Sequence, residues 1–395
     1  MQISISFDGL FNYLQANPLV CSLLVILLLV FAYQCYFYLR YVRIGAQLNS
    51  TPEQQLDVLP GVSVIVCARN EEDNLEDYLH TLLAQDYPCF EVIVVDDGSE
   101  DESVRVLKEY ARQYPNLYLT FVPQGARVIS SKKLALTIGI KAAKHDYILL
   151  TDADCRPESR YWIREMINGF SSDKTEVVLG FGAYFEKKGL LNHLICYDTL
   201  FSGLQYMGMA KCGFPYMGVG RNLAYRKDTF FKNNGFQGLL TERAGDDDLF
   251  VNKVANKTNT NVVCSPNSIT WSQPKSTWHE WLHQKQRHLS VSPHYSNRSK
   301  MRIAIEPFTR GLAYLLSILS LVGCVLGYMP WIIGVVVVGL LVLRMIIQLI
   351  IINLATNRFK LRRVGLGLVF YDIALPLITL YILISQSFRK QQIYW

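Results

Sequence analysis

Four stretches of this chain are too long and too apolar for an ordinary soluble core. The first, 18–39, is almost uncharged. At 1.5 Å per residue, a helix of that length crosses a hydrocarbon layer of roughly 30 Å. Arg40 and Arg43 follow it, and only Asp8 carries charge before it. A cleaved signal peptide would put its basic residues ahead of a shorter apolar core. The pattern predicts a retained anchor, with 1–17 outside and the following residues in the cytoplasm. Two further runs, 312–329 and 331–355, are divided by Pro330 and flanked by Tyr328 and Trp331. They read as a tight hairpin with its aromatic turn at the far interface. Arg358, Lys360, Arg362 and Arg363 then form a basic loop of the kind kept on the cytoplasmic side. The last run, 365–386, contains Asp372 and Pro376 and precedes Arg389 and Lys390. A fourth span is the reading adopted, although it leaves those two cations outside. A re-entrant or surface-lying hairpin is the alternative. Arg344, deep in the third run, is either functional or a side chain that snorkels to the interface.

Charged residues make up 18% of the chain and hydrophobic residues 50%, with a mean hydropathy of +0.16. Soluble domains carry about a quarter charged residues. The balance excludes a disordered chain, which needs low hydrophobicity and high net charge. Nine cysteines in 395 residues, none spaced C-x-x-C, exclude a disulfide scaffold and a zinc ribbon. Cys21, Cys35 and Cys324 lie within apolar runs, which suits a reducing compartment. The net charge of +6 is read as loop charge beside a membrane, and no nucleic-acid partner is expected.

The segment between the first and second runs, 40–310, is large enough for a full core. Short β-branched runs at 62–67, 90–95, 118–122 and 147–150 read as strands. Helical spacing separates them at 75–83, 102–113 and 132–144. Alternating strands and helices predict an α/β fold with a mostly parallel sheet, whose ligands bind at the carboxyl ends of the strands. Phosphate-binding glycine signatures are missing: there is no G-x-x-x-x-G-K-[ST], and Gly218-Val219-Gly220 lacks the third glycine of a dinucleotide site. A bound nucleotide would be held by carboxylates and a metal.

Three acidic clusters fit that role. Asp96 and Asp97 end the second strand, either as a turn or as an acceptor for a base or ribose. Asp152 and Asp154 end the fourth strand, and their period-two spacing puts both on one side of an extended chain. Their mutual repulsion is relieved by a divalent cation that prefers oxygen, such as Mg²⁺ or Mn²⁺. Asp246, Asp247 and Asp248 follow Gly245. They form either a solvated helix start or the site of a general base. Near 276–290 an amphipathic helix precedes the membrane and carries Gln284, Lys285, Arg287 and His288. It is either a membrane-surface helix or the place where Arg287 meets a diphosphate. The same helix contains a literal H-E-x-x-H, His279 to His283, the arrangement of zinc proteases. It lacks the extended continuation, because Gln286 and Leu289 occupy the required Gly and His positions. A third ligand would have to be Glu306, at the membrane edge.

Together and in this order, VSVIVCARNEEDNL, VIVVDDGSEDES, KKLALTIGI, LLTDADCRP, MGVGRNLAYRK, GDDDLF and QKQRH resemble the family 2 glycosyltransferases with a GT-A fold. The match runs from about 62 to 287. The flanking spans resemble the membrane-bound branch that includes cellulose, chitin and hyaluronan synthases and ceramide glucosyltransferases. The resemblance implies a GT-A (Rossmann-like) domain, a nucleotide-diphosphate sugar donor and Mg²⁺ or Mn²⁺. It places Cys67, Ala68 and Glu71 in the nucleotide pocket, Asp97 with Asp96 at the base, and Lys132 or Lys133 near the nucleotide. Asp152 and Asp154 would be the metal and donor carboxylates, with Asp154 the principal ligand. Gly220, Arg221 and Asn222 would lie on the acceptor side. Asp247 would be the general base, or Asp246 if the alignment is anchored on the Asp-Leu that follows. Gln284 and Arg287 would match the Q-x-x-R-W motif near acceptor and diphosphate.

His288 stands where many members have Trp, which argues against processive polymer synthesis. The expected reaction is an inverting transfer to a hydroxyl of a membrane lipid or lipid-linked glycan. A processive synthase is the alternative, and a nucleotidyltransferase, a zinc protease and a non-catalytic membrane scaffold are rivals of other classes. The expected location is the bacterial inner (plasma) membrane, with the catalytic domain in the cytoplasm.

Overall fold

The computed structural model describes residues 7–47, 56, 58–123, 131–239 and 244–388. The predicted cations Arg389 and Lys390, and residues 1–6 of the predicted external segment, lie outside them.

Ten strands form two sheets. They are β1 Val62–Ala68, β2 Phe90–Asp96, β3 Leu117–Phe121, β4 Tyr147–Asp152, β5 Cys155–Pro157, β6 Val177–Leu179, β7 Gly182–Tyr184, β8 Leu223–Arg226, β9 Thr260–Val262 and β10 Thr270–Ser272. The larger sheet has the order β3-β2-β1-β4-β8-β6-β9, and the smaller has β5-β10-β7. The first four strands pair in parallel. Their sequences run apolar without alternation because both faces are covered. Val62, Val64 and Val66 of β1 enter one core with Leu75, Leu79 and Trp162. Ile65 of the same strand enters the other core, with Ile93, Ile148 and Leu150. β8 then joins antiparallel to both β4 and β6. The register sets Ala68 opposite Asp96 and Cys67 opposite Asp152, so the ends of β1, β2 and β4 form one edge.

Among the described residues four helices are long and apolar enough to cross a membrane, and they cover Pro18–Gln47, Asn297–Val325, Trp331–Phe359 and Gly367–Ser385. The first contains a π-helical turn at Tyr38–Val42. The boundary predicted at 310 falls inside a continuous helix that begins at Asn297. The hairpin turn lies where Tyr328 and Pro330 predicted it, with Gly327 in the left-handed region at φ 77°.

Arg344 does not snorkel. It is 1% exposed and forms an ion pair with Asp372 at 2.6 Å. Arg310 pairs with the same carboxylate at 3.3 Å and with Glu306 at 3.1 Å. Glu306 is thus spent inside the bundle and is no ligand for the His279 pair. Two cations and two anions cancel, and Gln34, Tyr314 and Gln348 add hydrogen bonds from three of the four helices, while Glu306 Oε1, Arg310 Nε and Gln348 Oε1 stay without a partner among the described residues. A polar residue in an apolar span is costly unless it is paired in this way, which accounts for Asp372 in the last run.

A helix that sequence reading did not place, Leu190–Lys211, joins this bundle to the sheets. A Cβ on Gly208 would come within 1.8 Å of the Tyr41 carbonyl oxygen, and one on Gly45 within 2.3 Å of the Leu204 carbonyl oxygen. Backbone therefore packs on backbone at the foot of the first membrane helix. The Tyr197 hydroxyl accepts a hydrogen bond from Gln348 at 3.0 Å, which ties the same helix to the ionic cluster.

Removing one charge leaves another uncompensated in an apolar surround. Arg344→Leu or Asp372→Leu alone is expected to destabilise the chain by about 3–5 kcal/mol. The double variant is expected to lose less than either single one, as read by chemical denaturation in mixed micelles. A double variant at least as unstable as the sum of the two would contradict the pairing.

Candidate active site

The aligned ends of β1, β2 and β4 gather the predicted residues at one edge. Asp96 is spent locally, since its two carboxylate oxygens accept the backbone N–H groups of Gly98 and Ser99, each at 3.2 Å. This is the turn role that Asp commonly fills. Asp97 is 7% exposed, its backbone N–H donates to the Ala68 carbonyl, and its carboxylate has no partner among the described residues. Of the two, Asp97 is the one available to a ligand. Asn70, at φ 54°, and Ser99 latch the loops after β1 and β2 together, and the Glu71 N–H donates to Ser103. Burial, then the neighbouring charges of Asp154 and Asp152, push the Glu71 carboxyl up. Cys67 sits beside Asp152 in register, and burial pushes its thiol well up.

Lys132, from the helix Ser131–Ala142, spans the cleft. Its ammonium lies 2.9 Å from Asp152 and 3.4 Å from Asp246. Burial works against its charge, but Asp152, Asp246 and Asp247 outweigh it and hold the ammonium well above its ordinary value. Burial would raise Asp152, yet Lys132, Arg221 and Arg287 hold it below the usual carboxylate range. Asp154 is pushed up, by burial and by Asp152. Lys133 points elsewhere. It is fully buried and donates to the carbonyls of Leu239 and Ala244 at 2.9 and 2.8 Å. It ties Leu239 and Ala244 to its own helix and does not face the nucleotide edge.

Ligand atoms of Asp152, Asp154 and Cys155 all lie within 4.8 Å of one another. The Cys155 thiol donates to Asp154 and sits 3.0 Å from the Ser272 hydroxyl. Burial raises this thiol well above its ordinary value. The two carboxylates beside it suit a hard oxygen-seeking cation.

In the third cluster the roles separate. Asp247 caps the helix Asp248–Val254, accepting from the Asp248 N–H at 2.8 Å, and its other oxygen accepts the Gly220 N–H at 2.5 Å. A Cβ on Gly220 would lie 3.2 Å from that oxygen, so glycine permits the approach. The carboxyl is pushed up by burial and by Asp246. Asp246 faces Lys132 and the cleft. Asp248 turns the other way, toward Tyr295, and burial and Asp247 raise it well above the carboxylate range.

Two acceptor-side predictions need correction. Asn222 is fully buried and cannot touch a substrate. Its amide donates to the carbonyls of Phe181 and Ser268 and accepts from the Trp162 indole at 3.1 Å. Arg221 is fastened to the smaller sheet, donating to Gly182, Ala183 and Ser272, with Tyr184 4.3 Å below its guanidinium. Its charge still reaches Asp152 and Asp154. The predicted helix is present at Trp278–Leu289. Gln284 donates to the Tyr184 hydroxyl at 3.0 Å, so it orients Tyr184 and, through that ring, Arg221. Arg287 is exposed to the cleft side and acts on Asp152. His288, beside it, is exposed. Lys285 pairs with Asp198 at 2.7 Å and docks the helix on Leu190–Lys211.

The H-E-x-x-H segment forms no metal site among the described residues. Glu280 closes a capping box with Thr277 at its own helix start, and His279 and His283 are exposed. Cys155, Tyr184 and Asp198 were missed by sequence reading. Nothing in their spacing marks them, since each gains its role from a distant partner.

Residues 63–230 match the family model described as glycosyl transferase family 2, and residues 147–356 match glycosyl transferase family group 2. The chain is 27% identical over 244 residues to the Bacillus subtilis protein described as "Probable glycosyltransferase YdaM", covering 59% of this chain and 56% of that one. It is 31% identical over 144 residues to the poly-β-1,6-N-acetyl-D-glucosamine synthase of Staphylococcus aureus, covering 36% and 32%. It thus spans about half of the first relative and a third of the second. A solved mannosyltransferase from Pyrobaculum calidifontis, in complex with GDP-mannose and Mn²⁺, superposes with a TM-score of 0.61 at 17% identity. The superposition covers 93% of this chain and 100% of that one. The shared architecture is the GT-A fold.

The raised Asp248 carboxyl has a consequence for stability. A carboxyl held above its unfolded value of about 3.9 favours folding below that pH, and the contribution is lost as pH rises through the folded value. Asp248→Asn is therefore expected to match wild type near pH 4 and to become the more stable of the two toward pH 7. Unfolding temperatures in detergent across that range check it, and a difference independent of pH would contradict it.

Proposed function

The chain belongs to the family 2 glycosyltransferases, and we propose that it moves a sugar from a nucleotide-diphosphate donor to a hydroxyl of a membrane lipid or lipid-linked glycan. It is a glycosyltransferase by family, and the acceptor, the metal and the stereochemistry are our reading. The observation that carries this reading is the Lys132 bridge, with Asp152 at 2.9 Å on one side of the cleft and Asp246 at 3.4 Å on the other. It brings the proposed donor carboxylates and a second acidic cluster to one place.

Asp97 and the end of β1 would bind the base, with Glu71 close to the ribose and diphosphate. Asp154 and Asp152 would hold a divalent cation, Mg²⁺ or Mn²⁺. The two-carboxylate donor set supports this, as does the Mn²⁺ in the archaeal structure. When bound, such an ion supplies Lewis-acid stabilisation to the departing diphosphate.

The acceptor hydroxyl gives its proton to Asp246 as its oxygen bonds to the anomeric carbon. The bond from that carbon to the diphosphate oxygen breaks, and its electron pair leaves with the nucleoside diphosphate. One displacement inverts the centre. Arg287 and Lys132 offset the growing negative charge from positions fixed before reaction. Asp246 is preferred to Asp247 because both oxygens of Asp247 already accept backbone N–H groups.

His288, in place of the larger indole of a Trp that would stack a growing chain, supports transfer of one or a few sugars. The Staphylococcus relative is named for a polysaccharide, and processive synthesis is accordingly the second reading. Product length separates the two.

Asp246→Asn is expected to keep donor binding and to lose on the order of 10²–10⁴ in transfer rate, measured as labelled sugar entering organic-extractable product. Asp247→Asn is expected to lower the unfolding temperature as well, because it disturbs the Gly220 contact. Unchanged turnover in Asp246→Asn removes that residue from the role. Asp154→Ala is expected to weaken Mn²⁺-dependent nucleotide binding by more than about tenfold in calorimetry.

A further inference from the structure

We propose that a cavity on the membrane border, apart from the carboxylate cleft, holds the phosphate headgroup of an anionic lipid. The cavity measures about 210 Å³ and lies between the helix Leu190–Lys211 and the start of the helix Gly367–Phe388. That is room for roughly seven waters at about 30 Å³ each, enough for a phosphate and the first atoms of its glycerol.

Charge and geometry both favour an anion. Arg362 and Arg363 line the cavity. Arg362 Nη1 lies 2.7 Å from His193 Nε2, and Arg363 Nε donates to Asn357 at 3.0 Å. Their remaining guanidinium N–H groups have no protein acceptor among the described residues, and a forked guanidinium matches phosphate oxygens. Glu186 also lines the cavity, but it accepts the Arg362 backbone N–H at 2.5 Å. With that carboxylate counted, the two arginines leave a net positive lining. The helix Gly367–Phe388 begins at the same wall and adds the positive end of its dipole.

The surroundings select a lipid over a soluble phosphate. One membrane-crossing helix ends at Phe359 and the next begins at Gly367, so the loop between them sits at the interface. Leu366 is 89% exposed beside the cavity, and Val369, Phe370 and Ile373 continue an exposed apolar surface down the helix. A headgroup in the cavity would lay its acyl chains along that surface. The inner wall is fixed, because Tyr371 stacks on Tyr197 with ring centroids 5.2 Å apart, and Tyr197 is tied to Gln348. None of these residues belongs to the transfer site proposed above.

The test is native mass spectrometry of the full chain, released from micelles containing phosphatidylglycerol or phosphatidylcholine at equal mole fraction. Wild type is expected to retain phosphatidylglycerol about tenfold better than phosphatidylcholine. Arg362→Ala with Arg363→Ala is expected to abolish that preference. Arg298→Ala with Lys300→Ala removes two cations near another membrane helix but outside the cavity, and is expected to keep it. Arg363→Gln, which gives up the Asn357 hydrogen bond, serves if the first pair fails to fold and is expected to weaken the preference. Millimolar inorganic phosphate is expected to leave the lipid in place. Equal loss in both double variants, no lipid preference in wild type, or a phosphate adduct in place of lipid would each overturn the proposal.

Discussion

A single ammonium decides where the acidic ends of this fold can sit. Asp152, Asp154, Asp246 and Asp247 converge on one cleft, and at these separations their repulsion would splay the elements that carry them. Lys132 stands between two of them, and they hold its ammonium above its ordinary value. Its helix can reach over the end of β4 because it lies so close to the sheet. A Cβ on Gly139 would come within 2.6 Å of Ile65, so a larger residue would lift the helix and carry Lys132 away. The parallel register, the close helix and the bridging cation are one arrangement, and the proposed chemistry depends on it.

The membrane helices obey the same rule in a drier setting. Glu306, Arg310, Arg344 and Asp372 are all buried and sum to zero charge. Directional ion pairs fix the rotation of each helix in a way that apolar packing alone does not. That fixed bundle then grips the helix Leu190–Lys211 at Gly45, Gly208 and Tyr197. The same helix receives Lys285 from the helix that carries Arg287. The helix Trp278–Leu289 is thereby held in a fixed position relative to the four-helix bundle.

Much of this was legible in the sequence wherever a pattern is local. Uninterrupted β-branched runs announced the parallel strands, and the carboxylates directly after them lie at the edge where the ends of β1, β2 and β4 align. Apolar length announced the four long helices. What escaped depends on partners far apart in the chain. The short strands β5 to β10, of three or four residues each, carry too few positions to show a period. Arg344 read as either functional or snorkelling, and neither reading found its partner Asp372, which lies on another helix. Asn222 looked like an acceptor residue, but its amide is consumed by Phe181, Ser268 and Trp162. The choice between Asp246 and Asp247 turned on a backbone N–H from Gly220, which no spacing rule foresees.

The central claim is that this cleft breaks a nucleotide-sugar bond in favour of a membrane-borne hydroxyl. The most direct measurement is nucleoside diphosphate release by the detergent-solubilised chain. It would be run against UDP- and GDP-sugars, with Mg²⁺ or Mn²⁺, in the presence and absence of a membrane lipid extract. The account predicts release with one donor that requires the cation and rises sharply when the extract is added. Release of pyrophosphate instead, or tight donor binding with no release under any lipid condition, would contradict it.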